Sequence, residues 1–315
     1  MKSNTLQRWM IFGVLTFGGA FFSGCATKQR SQTSVETPSS SLPSSKGSSP
    51  TEVMGPPEPF GPPAPEVSSV RPAVVVLGPG LARGFAYVGV FRALSEAKIT
   101  IGAILGTEMG GLVAALYGLS SNLNQFEWDL LKFKEDVFVS QKGLFSKLRG
   151  GPADGSRLEA ALRQAFVQKD LSQSKIPLQI AFQSQDTGVV MVLDRGNAAE
   201  ALRATLSVPR LFTAAQWPAN QEGVKVVSNA SRPFLVQEAK RLDLGPVIVV
   251  DVLSGAESTS SAVELKAADL VLKPDLSGIN YMDFQKRTEA AFRGKKAVQQ
   301  RIREIQDLVG MAHDE

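Results

Sequence analysis

The sequence predicts an α/β protein with three layers and a mainly parallel central sheet, preceded by a disordered tether. From Arg71 onward, short apolar runs alternate with segments of helical spacing, which is typical of parallel strands covered by helices. The residues before Arg71 are rich in Ser, Pro, Thr and Gly and cannot bury enough apolar surface to fold. The first 25 residues have the layout of a secretory leader.

The elements of the folded part follow from the hydrophobic periodicity. The run AVVVLG is continuous and ends in glycine, which indicates a strand buried on both faces. The helical segment YVGVFRALSEAK, the strand IGAILG and the helix GGLVAALYGL come next. The later predictions are helices RLEAALRQAF and AEALRATL and strands IPLQIAFQ, GVVMVLD, VKVVS and PVIVVDVL. A basic amphipathic helix from Asp283 to Val309 is expected to pack on the domain with one face in solvent.

Residues 1–24 are interpreted as a lipoprotein signal peptide. Lys2 and Arg8 precede an apolar run that is short for a transmembrane helix. The Ser-Gly-Cys25 sequence after Phe22 resembles a bacterial lipobox, which implies cleavage before Cys25 and acylation of its thiol. The other interpretation is a short N-terminal anchor with an incidental cysteine.

The predicted anchor determines the expected location. Acyl chains on one cysteine would hold the protein stably at a bilayer. Residues 25–70 are then the lipidated cysteine and a disordered linker that lets the folded domain stand off the membrane. Residue 26 is alanine, which resembles an outer-membrane address. We therefore expect a protein of the bacterial cell envelope, lipid-anchored at the outer membrane.

Composition excludes several classes of function. The formal charge of +4 on 315 residues gives no reason to expect nucleic acid. The single cysteine allows no intrachain disulfide. The single histidine, His313, is close to the C-terminus, where a rigid catalytic environment is rare. No Ser-His-Asp triad, no metal site and no cofactor are predicted.

Two glycine motifs follow the first two predicted strands. Gly78-Pro-Gly-Leu-Ala-Arg-Gly84 is a turn whose amides open onto a helix and can hold an anion or an oxyanion. Such a turn is also common as a purely structural feature. Gly106-Thr-Glu-Met-Gly110 has the strand–turn–helix layout of a nucleophile elbow, with Glu108 where that motif has serine.

These motifs resemble those of patatin-like phospholipases. The resemblance continues in VGVFRAL, IPLQIAFQSQDTG, ATLSVPRLF and ADLVLKPDLSG and spans roughly residues 72 to 285. It implies a patatin-like domain over residues 71–282, followed by the C-terminal helix over 283–315. It also implies an oxyanion turn and an elbow, whose residues are Gly78, Gly80, Leu81, Arg83 and Gly84, and Gly106, Thr107, Glu108, Met109 and Gly110.

The family mechanism that the resemblance implies is a Ser-Asp dyad, and this chain departs from it twice. Glu108 replaces the serine. The aspartate position falls on Val227 without a gap, or on Ser228 with one deletion, and neither residue is acidic.

Four interpretations of Glu108 are open. Its carboxyl group occupies the oxyanion position and accepts the amides of Gly80 and Leu81, or it acts as a nucleophile, or it points unused into solvent. In the remaining interpretation, a nearby serine serves as nucleophile; Thr107 is beside the elbow but would point elsewhere, and the candidates are Ser184, Ser207, Ser228 and Ser231.

The expected function is therefore that of a membrane-anchored, catalytically inactive member of this fold that binds lipid or protein at the envelope. The alternative is a lipid acyl hydrolase, phospholipase- or esterase-like, with an altered or complemented site. Apolar residues of segment 120–150 either form an acyl-accepting cap or pack as core; they are Phe126, Trp128, Leu131, Phe133, Phe138 and Phe145. The sequence leaves the ligand, the partner and the oligomeric state open.

Overall fold

A computed structural model provides the fold of the chain. It describes residues 70–120, 122–138, 151–219, 223–228, 232–253 and 265–311. The predicted signal peptide, Cys25 and the tether up to residue 69 lie outside the described residues, as do Phe145, Ser231 and His313.

One sheet of eight strands organises the described residues. The strands are β1 (Ala73–Leu77), β2 (Ile101–Thr107), β3 (Leu178–Ser184), β4 (Val190–Leu193), β5 (Ala215–Trp217), β6 (Val224–Ser228), β7 (Val247–Val250) and β8 (Leu270–Leu272). Their order across the sheet is β5-β6-β3-β2-β1-β7-β8, and β4 pairs with β3. The pairs among β3, β2, β1, β7 and β8 are parallel, whereas β4, β5 and β6 pair antiparallel. The predicted α/β class with a mainly parallel sheet is confirmed.

Helices cover both faces of the sheet. They are α1 (Ala86–Glu96), α2 (Met109–Leu119), α3 (Leu123–Leu130), α4 (Glu135–Phe138), α5 (Ser156–Ala165), α6 (Ala198–Thr205), α7 (Arg232–Arg241), α8 (Arg287–Gln299) and α9 (Ile302–Val309). Alternate residues of β1 enter different cores, with Val75 on the side of α1 and α2 and Val76 on the side of α7. The result is three layers. None of the helices within the described ranges has the length and hydropathy needed to cross a bilayer.

The prediction of one C-terminal helix is wrong. Two helices, α8 and α9, are separated at Arg301, whose φ of −118° lies outside the helical range. The break lets α9 bury Ile305 and Val309 in the main core. The carbonyl of Val309 accepts a hydrogen bond from the amide of Arg71 at 2.9 Å. Tertiary packing at the domain's first strand therefore overrides the continuous helical pattern.

Helices α1 and α8 approach each other through glycines. A Cβ atom on Gly89 of α1 would lie 1.7 Å from the carbonyl oxygen of Ala291 on α8. A Cβ atom on Gly294 of α8 would lie 1.9 Å from the carbonyl oxygen of Ala86 on α1. The two backbones are in contact at both points, and only glycine fits there.

Candidate functional site

The candidate site lies at the carboxyl ends of β1, β2 and β7, where α/β sheets commonly bind ligands. The glycine turn follows β1, the elbow follows β2, and Asp251 follows β7. The turn continues into a 3-10 segment, Leu81–Phe85, directly before α1. The sheet thus brings the two motifs found in the sequence to one place.

Glu108 has the backbone conformation of a strained elbow. Its φ of 53° and ψ of −125° lie in a sparsely populated region that typically costs about 1–3 kcal/mol. The surroundings hold this conformation. The amide of Glu108 donates to the hydroxyl of Thr205 at 2.8 Å, and that hydroxyl donates to the carbonyl of Ala181 at 2.6 Å.

The two glycines of the elbow are required by close packing. A Cβ atom on Gly106 would lie 2.4 Å from the carbonyl oxygen of Gly110. A Cβ atom on Gly110 would lie 2.3 Å from the carbonyl oxygen of Leu77 in β1. Helix α2 therefore begins in backbone contact with both strands that carry the site.

The carboxyl group of Glu108 is directed into the glycine turn. Its Oε1 atom accepts hydrogen bonds from the amide of Gly80 at 3.0 Å and from the amide of Leu81 at 2.8 Å. Glu108 is 4% exposed. The contact expected between this side chain and these two amides is present, and the interpretation in which Glu108 points unused into solvent is wrong.

The other predicted turn residues have structural contacts. The carbonyl of Gly78 accepts from the hydroxyl of Tyr87 at 2.8 Å. A Cβ atom on Gly84 would lie 2.4 Å from Cγ of Met109, so this glycine lets the turn pack on the elbow. Arg83 is buried, and burial lowers its pKa while the nearby Tyr281 and Asp251 raise it.

The alternative hydroxyl nucleophiles are held by local hydrogen bonds. Thr107 donates to the carbonyl of Ala181 at 3.1 Å. Ser207 donates to the carbonyl of Arg203 at 2.8 Å and accepts from the guanidinium of the same residue at 2.6 Å. Ser184 accepts from the amide of Thr187 at 3.2 Å. These contacts explain the three hydroxyl groups without a catalytic role.

The position of the family aspartate is at the end of β6. Side chains alternate along a strand, and Val226 packs with Ala204 of α6. Ser228 shares the face of Val226, and its amide donates to the carbonyl of Ser207 at 3.0 Å. Val227 is on the opposite face of β6 and lines a surface cavity. The structure therefore favours Ser228 as the counterpart of the aspartate, because α6 also carries the Thr205 that holds the elbow.

Burial raises the pKa of the Glu108 carboxyl group above its ordinary value. The backbone amides of Gly80, Leu81 and Met109 act in the opposite direction but do not overcome burial. Oε1 can accept both amides in either protonation state, because a neutral carboxyl group keeps a carbonyl-type oxygen.

We expect the stability contribution of Glu108 to depend on pH. A raised folded-state pKa gives stability that is complete below the unfolded pKa, about 4.3, and is lost as pH rises through the folded value. Glu108→Gln keeps an oxygen acceptor and cannot ionise. The free energy of unfolding of the parent protein, relative to this variant, should therefore fall as the pH rises above the unfolded pKa of about 4.3. Urea unfolding at a series of pH values measures it.

A matched control is Glu304→Gln on α9. The side-chain hydrogen bond from Arg301 lowers the pKa of Glu304, so the stability that this group contributes should be lost as pH falls. The stability of the parent protein relative to Glu108→Gln should fall with rising pH, whereas its stability relative to Glu304→Gln should rise. A pH-independent difference between the parent protein and Glu108→Gln would contradict the raised pKa.

The proposed acyl cap is largely core. Phe126 is buried against Phe91 and Tyr117, and Phe138 stacks on Phe284 with ring centroids 5.1 Å apart. Phe133 is buried as well. Trp128 and Leu131, in contrast, are 64% and 40% exposed. Core packing is therefore the correct interpretation for the three phenylalanines, and it leaves Trp128 and Leu131 unexplained.

Comparison with protein-family models identifies the family of this chain. A family model described as patatin-like phospholipase matches residues 75–234, which include the turn, the elbow and β6. The chain belongs to the patatin-like phospholipase family. In this patatin-like domain, Glu108 therefore stands within the matched region and not in an added segment.

Individual relatives match this patatin-like chain over limited lengths. The lysophospholipase nte1 of Aspergillus fumigatus is 45% identical over 53 residues, which are 17% of this chain and 4% of that protein. An uncharacterized NTE family protein of Mycobacterium bovis is 25% identical over 287 residues, with 75% of this chain and 47% of the relative covered. The chain thus spans less than half the length of these relatives.

Solved structures with a similar patatin-like fold include two bacterial proteins. VipD from Legionella pneumophila has a TM-score of 0.44 at 10% identity, covering 78% of this chain and 72% of that chain. ExoU of Pseudomonas aeruginosa, solved in complex with SpcU, has a TM-score of 0.41 at 14% identity, covering 74% and 53%. This similarity concerns the fold alone.

Proposed function

We propose that this protein is a membrane-anchored patatin-like lipoprotein that does not hydrolyse esters and that binds lipid or protein at the bacterial cell envelope. The observation that supports the loss of hydrolysis is the double acceptance of the Gly80 and Leu81 amides by Glu108 Oε1. These are the donors that would stabilise the oxyanion of an acyl-transfer reaction. The anchor is the acylated Cys25 that the lipobox predicts.

A substrate carbonyl would have to displace this carboxyl group before it could reach the turn. Displacement of the carboxyl group would leave the two buried amides without an acceptor until the substrate carbonyl replaced it. Each unpaired amide would cost about 1–3 kcal/mol. The elbow would still lack a hydroxyl nucleophile, since position 108 is glutamate. We therefore propose that the protein binds its ligand without a reaction at the elbow.

The second candidate is a hydrolase with Glu108 as carboxylate nucleophile. The preserved elbow backbone and turn favour it. Attack of this carboxylate on an ester carbonyl would release the alcohol and leave a mixed anhydride, which would need a base to activate water for its hydrolysis. Among the described residues, the hydrogen bonds to the carboxyl group of Glu108 come from backbone amides, so no side-chain base is hydrogen-bonded to it.

Hydrolysis by the full-length protein in detergent tests the proposal. We expect no turnover of a short-chain chromogenic ester or of phospholipid vesicles above the rate of Glu108→Ala. Turnover that disappears in Glu108→Ala would establish a catalytic carboxylate and overturn the proposed function. Equal rates in both proteins, together with lipid that co-purifies and is identified by mass spectrometry, would support it.

A further inference from the structure

A groove between α1, α3 and α8 lies apart from the elbow. Its volume is about 310 Å³, and its lining includes Phe85, Val88, Leu130, Leu131, Ala291 and Phe292. The lining contains no residue of the elbow and none of the amide donors that contact Glu108. It is therefore a second feature of the domain, and its lining is predominantly apolar.

Two exposed apolar side chains line this groove, and a third is on the helix that leads to it. Phe292 on α8 is 66% exposed, and Leu131, just after α3, is 40% exposed. Trp128 is 64% exposed and lies one helical turn before Leu131, on the same side of α3. A cluster of this kind on a domain surface marks an interaction site, because isolated exposed apolar residues are ordinary and grouped ones are not.

The charged groups at the groove favour an anionic partner. Three cations line it, Arg92, Arg287 and Lys295, against one acid, Glu127. Glu127 pairs with Arg92, and Lys295 pairs with Glu96 at 2.8 Å. Within the described ranges, no acid forms an ion pair with Arg287. This guanidinium is thus available to an external anion beside the exposed phenylalanine.

We propose that the α3–α8 face, defined by Trp128, Leu131, Phe292 and Arg287, docks on the surface of an anionic bilayer. The indole ring of Trp128, with its N–H donor, suits the boundary between headgroups and acyl chains, the phenyl ring of Phe292 can enter the acyl region, and a neighbouring cation binds phosphate headgroups. An anionic headgroup layer covers the apolar residues and also gives Arg287, the cation of the groove without an ion pair among the described residues, a counter-charge. The inference rests on the proposed envelope location and does not depend on the role of Glu108.

Vesicle sedimentation tests this docking without the lipid anchor. The chain from Ala26 onward retains every described residue and lacks both the leader and Cys25. We expect it to bind vesicles that contain phosphatidylglycerol more tightly than vesicles of phosphatidylcholine alone, and to be released as NaCl rises from about 0.1 M to about 0.5 M. Phe292→Ala and Trp128→Ala should each weaken binding by about tenfold or more. Arg287→Gln should weaken it by about fivefold on the anionic vesicles only.

Two variants with the same chemistry elsewhere serve as controls. Val167→Ala removes an apolar side chain that is 66% exposed, and Arg303→Gln removes an exposed cation of α9. Both should bind like the parent protein. Equal binding by all variants, or no binding at all, would overturn the docking proposal and leave the proposed anchor at Cys25 intact. Concentration-dependent dimerisation that Phe292→Ala abolishes would instead assign the face to a second copy of the chain.

A soluble ligand is the other outcome that overturns the docking proposal. A fluorescent fatty acid, titrated in the absence of vesicles, would then bind with a dependence on Leu131 and Phe292.

Discussion

The double substitution Glu108→Ser with Ser228→Asp is expected to give this protein an ester hydrolase activity that neither single substitution gives. Removing Glu108 releases the amides of Gly80 and Leu81, which then face the elbow as oxyanion donors. The introduced serine stands on an elbow whose backbone is already in position. The introduced carboxylate assists its deprotonation, and a positioned base contributes about 10²–10⁴-fold.

The measurement compares the rate at which the double variant hydrolyses a short-chain chromogenic ester with the rate of Glu108→Ser alone. Val227→Asp, combined with Glu108→Ser, is the matched control, because it places the same carboxylate one residue earlier on the opposite face of β6. We expect only the Ser228→Asp combination to exceed the single variant. A gain in the Val227→Asp combination instead would show that the aspartate position was assigned to the wrong frame.

The substitution Gly294→Ala is expected to lower the free energy of unfolding by about 1–3 kcal/mol, the usual cost of overpacking. In an isolated helix the same change would stabilise by about 1 kcal/mol, since alanine is the better helix former. The close contact between α1 and α8 makes Gly294→Ala destabilising in this protein. The added Cβ atom would lie 1.9 Å from the carbonyl oxygen of Ala86, and a backbone oxygen cannot move aside as a side chain can.

Thermal or urea unfolding measures this loss. Gly151→Ala is the control, because a Cβ atom there meets nothing within 4 Å. The control should unfold like the parent protein. A stabilised Gly294→Ala variant would mean that α1 and α8 separate easily, which would contradict the close backbone contact described above.

The strand–turn–helix units could be predicted because they are specified locally. β1, β2 and α2 consist mainly of apolar residues and glycine, and most of their residues are buried, which favours one arrangement. The hydrogen bonds from Gly80 and Leu81 to Glu108 could also be expected, since both motifs follow neighbouring strands of one parallel sheet.

The missed elements are those that depend on distant partners. β5 and β8 have three residues each and become strands only through pairing with β6 and β7. Helix α7 has a low average hydrophobicity and is held by Leu235 and Val236 against the sheet. Thr205 accepts the elbow amide of Glu108 through its hydroxyl group. Its role depends on the fold bringing α6 to β2, and no local pattern of the sequence signals it.

The glycine contact between α1 and α8 has a mechanical consequence. Gly294 touches the carbonyl group of Ala86, and Ala86 follows directly on the turn that ends at Phe85. In the same turn, the amides of Gly80 and Leu81 donate to the carboxyl group of Glu108. Helix α8, which carries Phe292 on the outside, therefore cannot shift without moving the residue next to the turn. The surface groove and the buried carboxyl group are therefore joined by an unbroken series of backbone contacts and hydrogen bonds.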